Sequence, residues 1–144
     1  NPTVKCAVSY DGANLGANST SSTNQIGLLS DEKTTKMRFD YTETLFMLNG
    51  WSAAKFKQEI NDHGARLDLV KRANKINGRP VLLIAADTNV IPQDIHIKPL
   101  LKALKMTEDS QASYQLIEDD HSFSSSRDKL ITATANFLNI HCKR

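Results

Sequence analysis

Arg79-Pro80-Val81-Leu82-Leu83-Ile84-Ala85-Ala86-Asp87 is the stretch that decides the fold. From Val81 to Ala86 every residue is apolar, without alternation, as in a parallel strand covered on both faces. Gly78 and Pro80 punctuate its start, and Asp87-Thr88-Asn89 closes it with turn chemistry. Pro92 then precedes a helix expected over residues 94–105. A second strand is expected over 113–118, followed by Asp119-Asp120-His121. A second helix over 128–139 gathers Leu130, Ile131, Ala133, Ala135, Phe137 and Leu138. Strand, helix, strand, helix in this order implies right-handed parallel crossovers. The second half of the chain reads as α/β.

Toward the start, residues 4–10 read as a further short strand that Asp11-Gly12 ends. Residues 12–24 are rich in Gly, Asn, Ser and Thr and read as a loop, with 19–23 its most linker-like part. Asn18-Ser19-Thr20 fits a glycosylation triplet and is treated as loop. From 30 to 77 the composition turns helical. Asp31 and Glu32 suit a first turn, and Phe39, Leu45, Phe46 and Leu48 supply apolar faces before Asn49-Gly50. Ser52 is expected to cap a helix over 53–62, with Phe56 and Ile60 on one face and Gly64 as its stop. Leu67, Val70 and Ala73 suggest another short helix, and Trp51 is either core or pocket lining.

The 144 residues favour one domain. Lys plus Arg is 18 against 16 for Asp plus Glu, so a net charge of +2 gives no broad basic surface for nucleic acid. The longest apolar stretch is that of Val81 to Ala86, far short of the ~20 residues that span a bilayer. No charged segment followed by an apolar run opens the chain. Histidines at 63, 96, 121 and 141 and cysteines at 6 and 142 show no metal-ligand spacing. Two free thiols are favoured over a Cys6–Cys142 disulfide, with Cys6 in the core. Localisation stays open, the cytoplasm ahead of periplasm or secretion.

Functional groups of open parallel sheets gather beyond the carboxyl ends of the strands. Asp87 directly follows one strand and His121 closely follows the next. An imidazole serves as a general base near neutral pH, and a carboxylate can hold its tautomer. Asp then His, with one helix between them, matches the last two members of an α/β-hydrolase triad.

These residues carry a resemblance. Arg79 to Thr88 with Pro92 resembles the seventh strand and acid turn of α/β-hydrolases. Asp120-His121-Ser122-Phe123-Ser124 with Arg127 is similar to the histidine loop of their prolyl-oligopeptidase-like and acyl-peptidase-like esterase members. Residues 4–15 look like the sixth strand and its loop, and the central helical stretch like the variable insertion. Pro92 stands one position farther from Asp87 than is usual in the family. Thr88 would then take the acid's place in a strict alignment, but it cannot supply the charge.

The resemblance implies the C-terminal portion of an α/β-hydrolase, with three parallel strands, flanking helices and a helical insertion over about 26–77 of a partial domain spanning 1–144. It implies a serine hydrolase that cleaves ester or amide bonds by acyl transfer, with Asp87 orienting His121, a small ester or peptide substrate, no cofactor and no metal. The sequence contains no Gly-x-Ser-x-Gly elbow. Ser9 has the right chain order, but Ala7 and Asp11 replace the flanking glycines and no helix follows at once. The nucleophile is therefore expected upstream of Asn1, and a connector-like Asn1-Pro2-Thr3 suits that expectation. The alternative is a binding or interaction module of the same fold without chemistry, with Asp11, Asn14 and Trp51 lining its pocket. Self-association through an exposed sheet edge is expected in either case, with no nucleic-acid or membrane partner.

Overall fold

A computed structural model describes residues 4–18, 44, 50–76, 78–88, 91–106 and 109–142. The chain divides into two compact units, Asn1–Ala13 with Val70–Arg144, and Asn14–Leu69.

In the first unit the apolar run is the middle strand. Strands β1 (Ala7–Tyr10), β2 (Val81–Ala86) and β3 (Ala112–Ile117) form an open parallel sheet in the order β1-β2-β3. All six β2 residues are buried. Val81, Leu83 and Ala85 pack with Ala73, Ile97, Leu100 and Leu104 on one face. Leu82, Ile84 and Ala86 pack with Ile117, Phe123 and Phe137 on the other. Two apolar faces explain why the strand does not alternate. The three parallel strands and flanking helices are those expected, and they establish an α/β arrangement of generic kind.

The boundaries differ in instructive ways. β1 begins at Ala7, not at Val4, and the Ala7 N–H donates to the Pro80 carbonyl (3.0 Å). Pro80 has no N–H of its own to continue the ladder backward. The helix expected over 94–105 is two pieces, α2 (Gln93–His96) and α3 (Lys98–Lys105), joined at Ile97. Pro99 lies in the first turn of α3, where its missing N–H is tolerated. The last helix, α4, runs Arg127–His141, longer at both ends than the apolar spacing indicated.

Cys6 and Cys142 are joined in a disulfide, with Cα atoms 5.6 Å apart. The expectation of two free thiols is corrected by this pairing. Cys6 immediately precedes β1 and Cys142 caps α4, so strand and helix bring the two ends of the sequence together.

In the second unit, α1 (Ala53–Leu67) is capped by Ser52, whose hydroxyl accepts the Lys55 N–H (3.2 Å), as expected. The helix does not stop near Gly64. Positive φ, the usual mark of a helix-ending glycine, occurs at Gly50 and Gly78 but not there. Gly64 is buried, and the short 3-10 turn Leu15–Asn18 lies against this end of the helix. A Cβ on Gly16 would fall 2.4 Å from the Gly64 carbonyl and 2.0 Å from the Asp68 nitrogen, so only glycine fits there. Leu67 is the last residue of α1, not the start of another helix; a separate 3-10 turn, Ala73–Ile76, belongs to the first unit. Within the central helical stretch, the readings at residues 19–43 and 45–49 lie outside the described residues.

Candidate functional site

The chemistry gathers where β1 ends. Asp11 follows the strand at φ +43°, a left-handed conformation that Asp tolerates better than most residues. Its N–H donates to the Ile84 carbonyl (2.7 Å), which continues the β1–β2 ladder by one bond. Its carboxylate turns back over the end of β2, where Oδ1 accepts the Ala86 N–H (3.1 Å). The other oxygen, Oδ2, accepts from His121 Nδ1 at 2.6 Å. The Asp11 side chain is 0% exposed and that of His121 is 47% exposed. A buried carboxylate thus holds a half-exposed imidazole by one nitrogen. With the proton on Nδ1, Nε2 keeps its lone pair, and an imidazole in that tautomer can take up a proton.

The loop after β3 brings the histidine there. Asp119 and Asp120 work as its frame. Asp120 Oδ1 accepts the Ser122 N–H (2.8 Å) and the Ser124 N–H (3.1 Å), while Asp119 Oδ2 accepts that of Ser125 (2.9 Å). Phe123, at φ +53° and 2% exposed, plugs the loop into the core beside Phe137. Hydrogen bonds from Ser124, its side chain first, hold the Asp120 carboxyl below the ordinary carboxylate range, with a smaller pull from Arg127. A depressed value stabilises the fold above the unfolded pKa, and the contribution disappears as pH falls through the folded one. The protection of the Ser122 and Ser124 amides, taken relative to the intrinsic exchange rate at each pH, is therefore expected to fall only below about pH 4. In Asp120→Asn this pH-dependent fall in protection should vanish; if it persists unchanged, Asp120 is not the group that titrates.

Asp87 directly follows β2, as its spacing suggested. It is exposed at the end of β2, and its N–H extends the β2–β3 ladder to the Ile117 carbonyl (3.1 Å). The carboxylate on His121 Nδ1 is that of Asp11, and no Asp87–His121 bond occurs among the described residues. The charges of both carboxylates act on Tyr114 of β3. Burial pushes that phenol above its ordinary value, Lys98 opposes the rise, and Asp87 and Asp11 add to it. Tyr114 donates its hydroxyl proton to Gln93 Oε1.

The other residues singled out by sequence are dispersed. Ser9 sits inside β1, paired with Leu83, with its Oγ packed against Gly12. The turn comes two residues later, so Ser9 is on a strand and not on a strand-to-helix elbow. Asn14 belongs to the second unit and is 0% exposed. Its amide donates to Asp68 Oδ1 (3.0 Å) and its oxygen accepts the Leu69 N–H (2.9 Å), which ties the 3-10 turn to the end of α1. Trp51 is half-exposed against Phe56, with ring centroids 6.0 Å apart.

Sequence reasoning offered Asp11 only as pocket lining of the alternative binding module and missed its pairing with His121. Asp-Gly after a strand reads as turn chemistry, and only the parallel register shows that this turn ends beside Ala86. The chain matches no protein-family model, no curated protein and no solved structure.

Proposed function

We propose that this chain carries the acid and histidine of a serine-hydrolase site that cleaves ester or amide bonds by acyl transfer. The observation that supports the reading is the buried Asp11 carboxylate on His121 Nδ1, with the rest of the imidazole facing outward. In this reading Asp11, on the strand before Asp87, orients His121 and stabilises the imidazolium, and His121 takes and returns the proton. The substrate is a small ester or peptide. The attacking serine comes from a Gly-x-Ser-x-Gly segment that these 144 residues do not include.

Without a Gly-x-Ser-x-Gly nucleophile, the chain is expected to turn over p-nitrophenyl esters only at the slow background rate of accessible imidazoles. His121→Ala should lower that activity, leaving the share of the exposed His63 and His141, and Ser9→Ala should leave it unchanged. A burst phase abolished by Ser9→Ala would overturn the placement of the nucleophile, and indifference to His121→Ala would overturn the reading itself. The alternative, a binding module without chemistry, draws no support from Asn14, whose amide is engaged within its own unit.

Self-association belongs to the same proposal. Among the described residues β1 pairs with β2 alone, and Tyr10 and Val4 beside it are each 47% exposed. A strand edge with unpaired backbone groups invites another strand. Light scattering is expected to show dimers or larger species growing with concentration. A monomer at every concentration would remove this part of the proposal.

A further inference from the structure

We propose that the Cys6–Cys142 disulfide is a positioning element for Asp11, so that the Asp11–His121 pair depends on the redox state of two cysteines at the opposite end of β1. The inference rests on the geometry of the pair and not on the reaction proposed for it. β1 has only four residues, and among the described residues it is held within the sheet by β2 alone. Cys6 stands one residue before this strand and Asp11 one residue after it. A displacement at one end of so short an edge strand has little intervening structure in which to be absorbed.

The far partner is well anchored. Cys142 ends α4, and that helix places Phe137, Leu130 and Ala133 against Leu82, Ile84 and Ala86 of β2. Cys6, Val8 and Cys142 pack along the rim of the same cluster. A second tie joins strand and helix, Tyr10 Oη to Thr134 Oγ1 at 3.0 Å, but it is exposed. The disulfide is therefore the one covalent link between the strand that carries Asp11 and the helix that covers the sheet. Disulfides of this kind persist in oxidising compartments and are opened by thiols. A dithiol would reduce it by exchange. Each cysteine sulfur gains a hydrogen, and the dithiol is oxidised to its own disulfide.

The test compares the oxidised protein with the dithiol-reduced one and with the double variant Cys6→Ser/Cys142→Ser. Amide exchange is read at Ala86, whose N–H is held by Asp11 Oδ1, and at Leu83 in the middle of β2. The His121 ring is followed by nitrogen NMR. Reduction is expected to speed Ala86 exchange at least tenfold relative to Leu83 and to mix the His121 tautomers. The double variant should match the reduced protein. Unchanged Ala86 protection with an unchanged His121 tautomer would overturn the proposal. A loss of protection at Ala86 no greater than the global loss read at Leu83 would overturn it too, because the bond would then serve only global stability.

Discussion

Reduction of the Cys6–Cys142 disulfide is expected to lower the thermal midpoint by roughly 10 °C or more. The bond closes a loop with a sequence separation of 136, nearly the whole chain. By the chain-entropy argument, a loop of this length restricts the unfolded state by about 5 kcal/mol, and removal of native disulfides typically costs about 2–5 kcal/mol. Other features of the structure do not replace it. β1 is a four-residue edge strand, and the Tyr10–Thr134 contact is an exposed hydrogen bond worth about 1 kcal/mol. Calorimetry with and without a dithiol measures the effect. A midpoint that moves by only a degree or two would mean that β1 and α4 stay together without the bond.

The second large effect is expected at Asp11. Replacing it by leucine removes the acceptor for the buried Ala86 N–H, a loss of about 1–3 kcal/mol. It also forces a bulky side chain into φ +43°, which adds about 1–2 kcal/mol. His121 contributes less to the penalty, because its half-exposed ring can turn to water. Asp11→Leu is therefore expected to destabilise the protein by about 2–5 kcal/mol in urea unfolding. Asp87→Leu changes an exposed side chain and should stay within about 0.5 kcal/mol. Equal losses at the two positions would show that burial of Asp11 is not what distinguishes them.

The sheet was legible because β2 is apolar at every position, a pattern that only a two-sided covering by helices satisfies. The capping of α1 was legible for a similar reason, since Ser52 acts on an amide three residues away. What could not be read were properties set by distant parts of the chain. Gly64 looks like a stop, yet it lies inside a helix because the turn at Gly16 packs against it. Cys6 and Cys142 are too far apart for spacing to say that they meet. His121 was legible as the candidate base from its strand-end setting, but its partner was not. Asp87 and Asp11 both follow parallel strands, and nothing local distinguishes an exposed carboxylate that continues a ladder from one that a left-handed turn folds back over Ala86.

Nitrogen NMR of the His121 imidazole tests most directly whether Asp11 is the carboxylate that holds it. In the unaltered protein the neutral ring is expected to carry its proton on Nδ1, donated to Asp11. In Asp11→Asn the amide can donate to Nδ1 instead, so the proton should move to Nε2, while Asp87→Asn should leave the tautomer as it was. A tautomer that changes with Asp87→Asn and ignores Asp11→Asn would contradict the account.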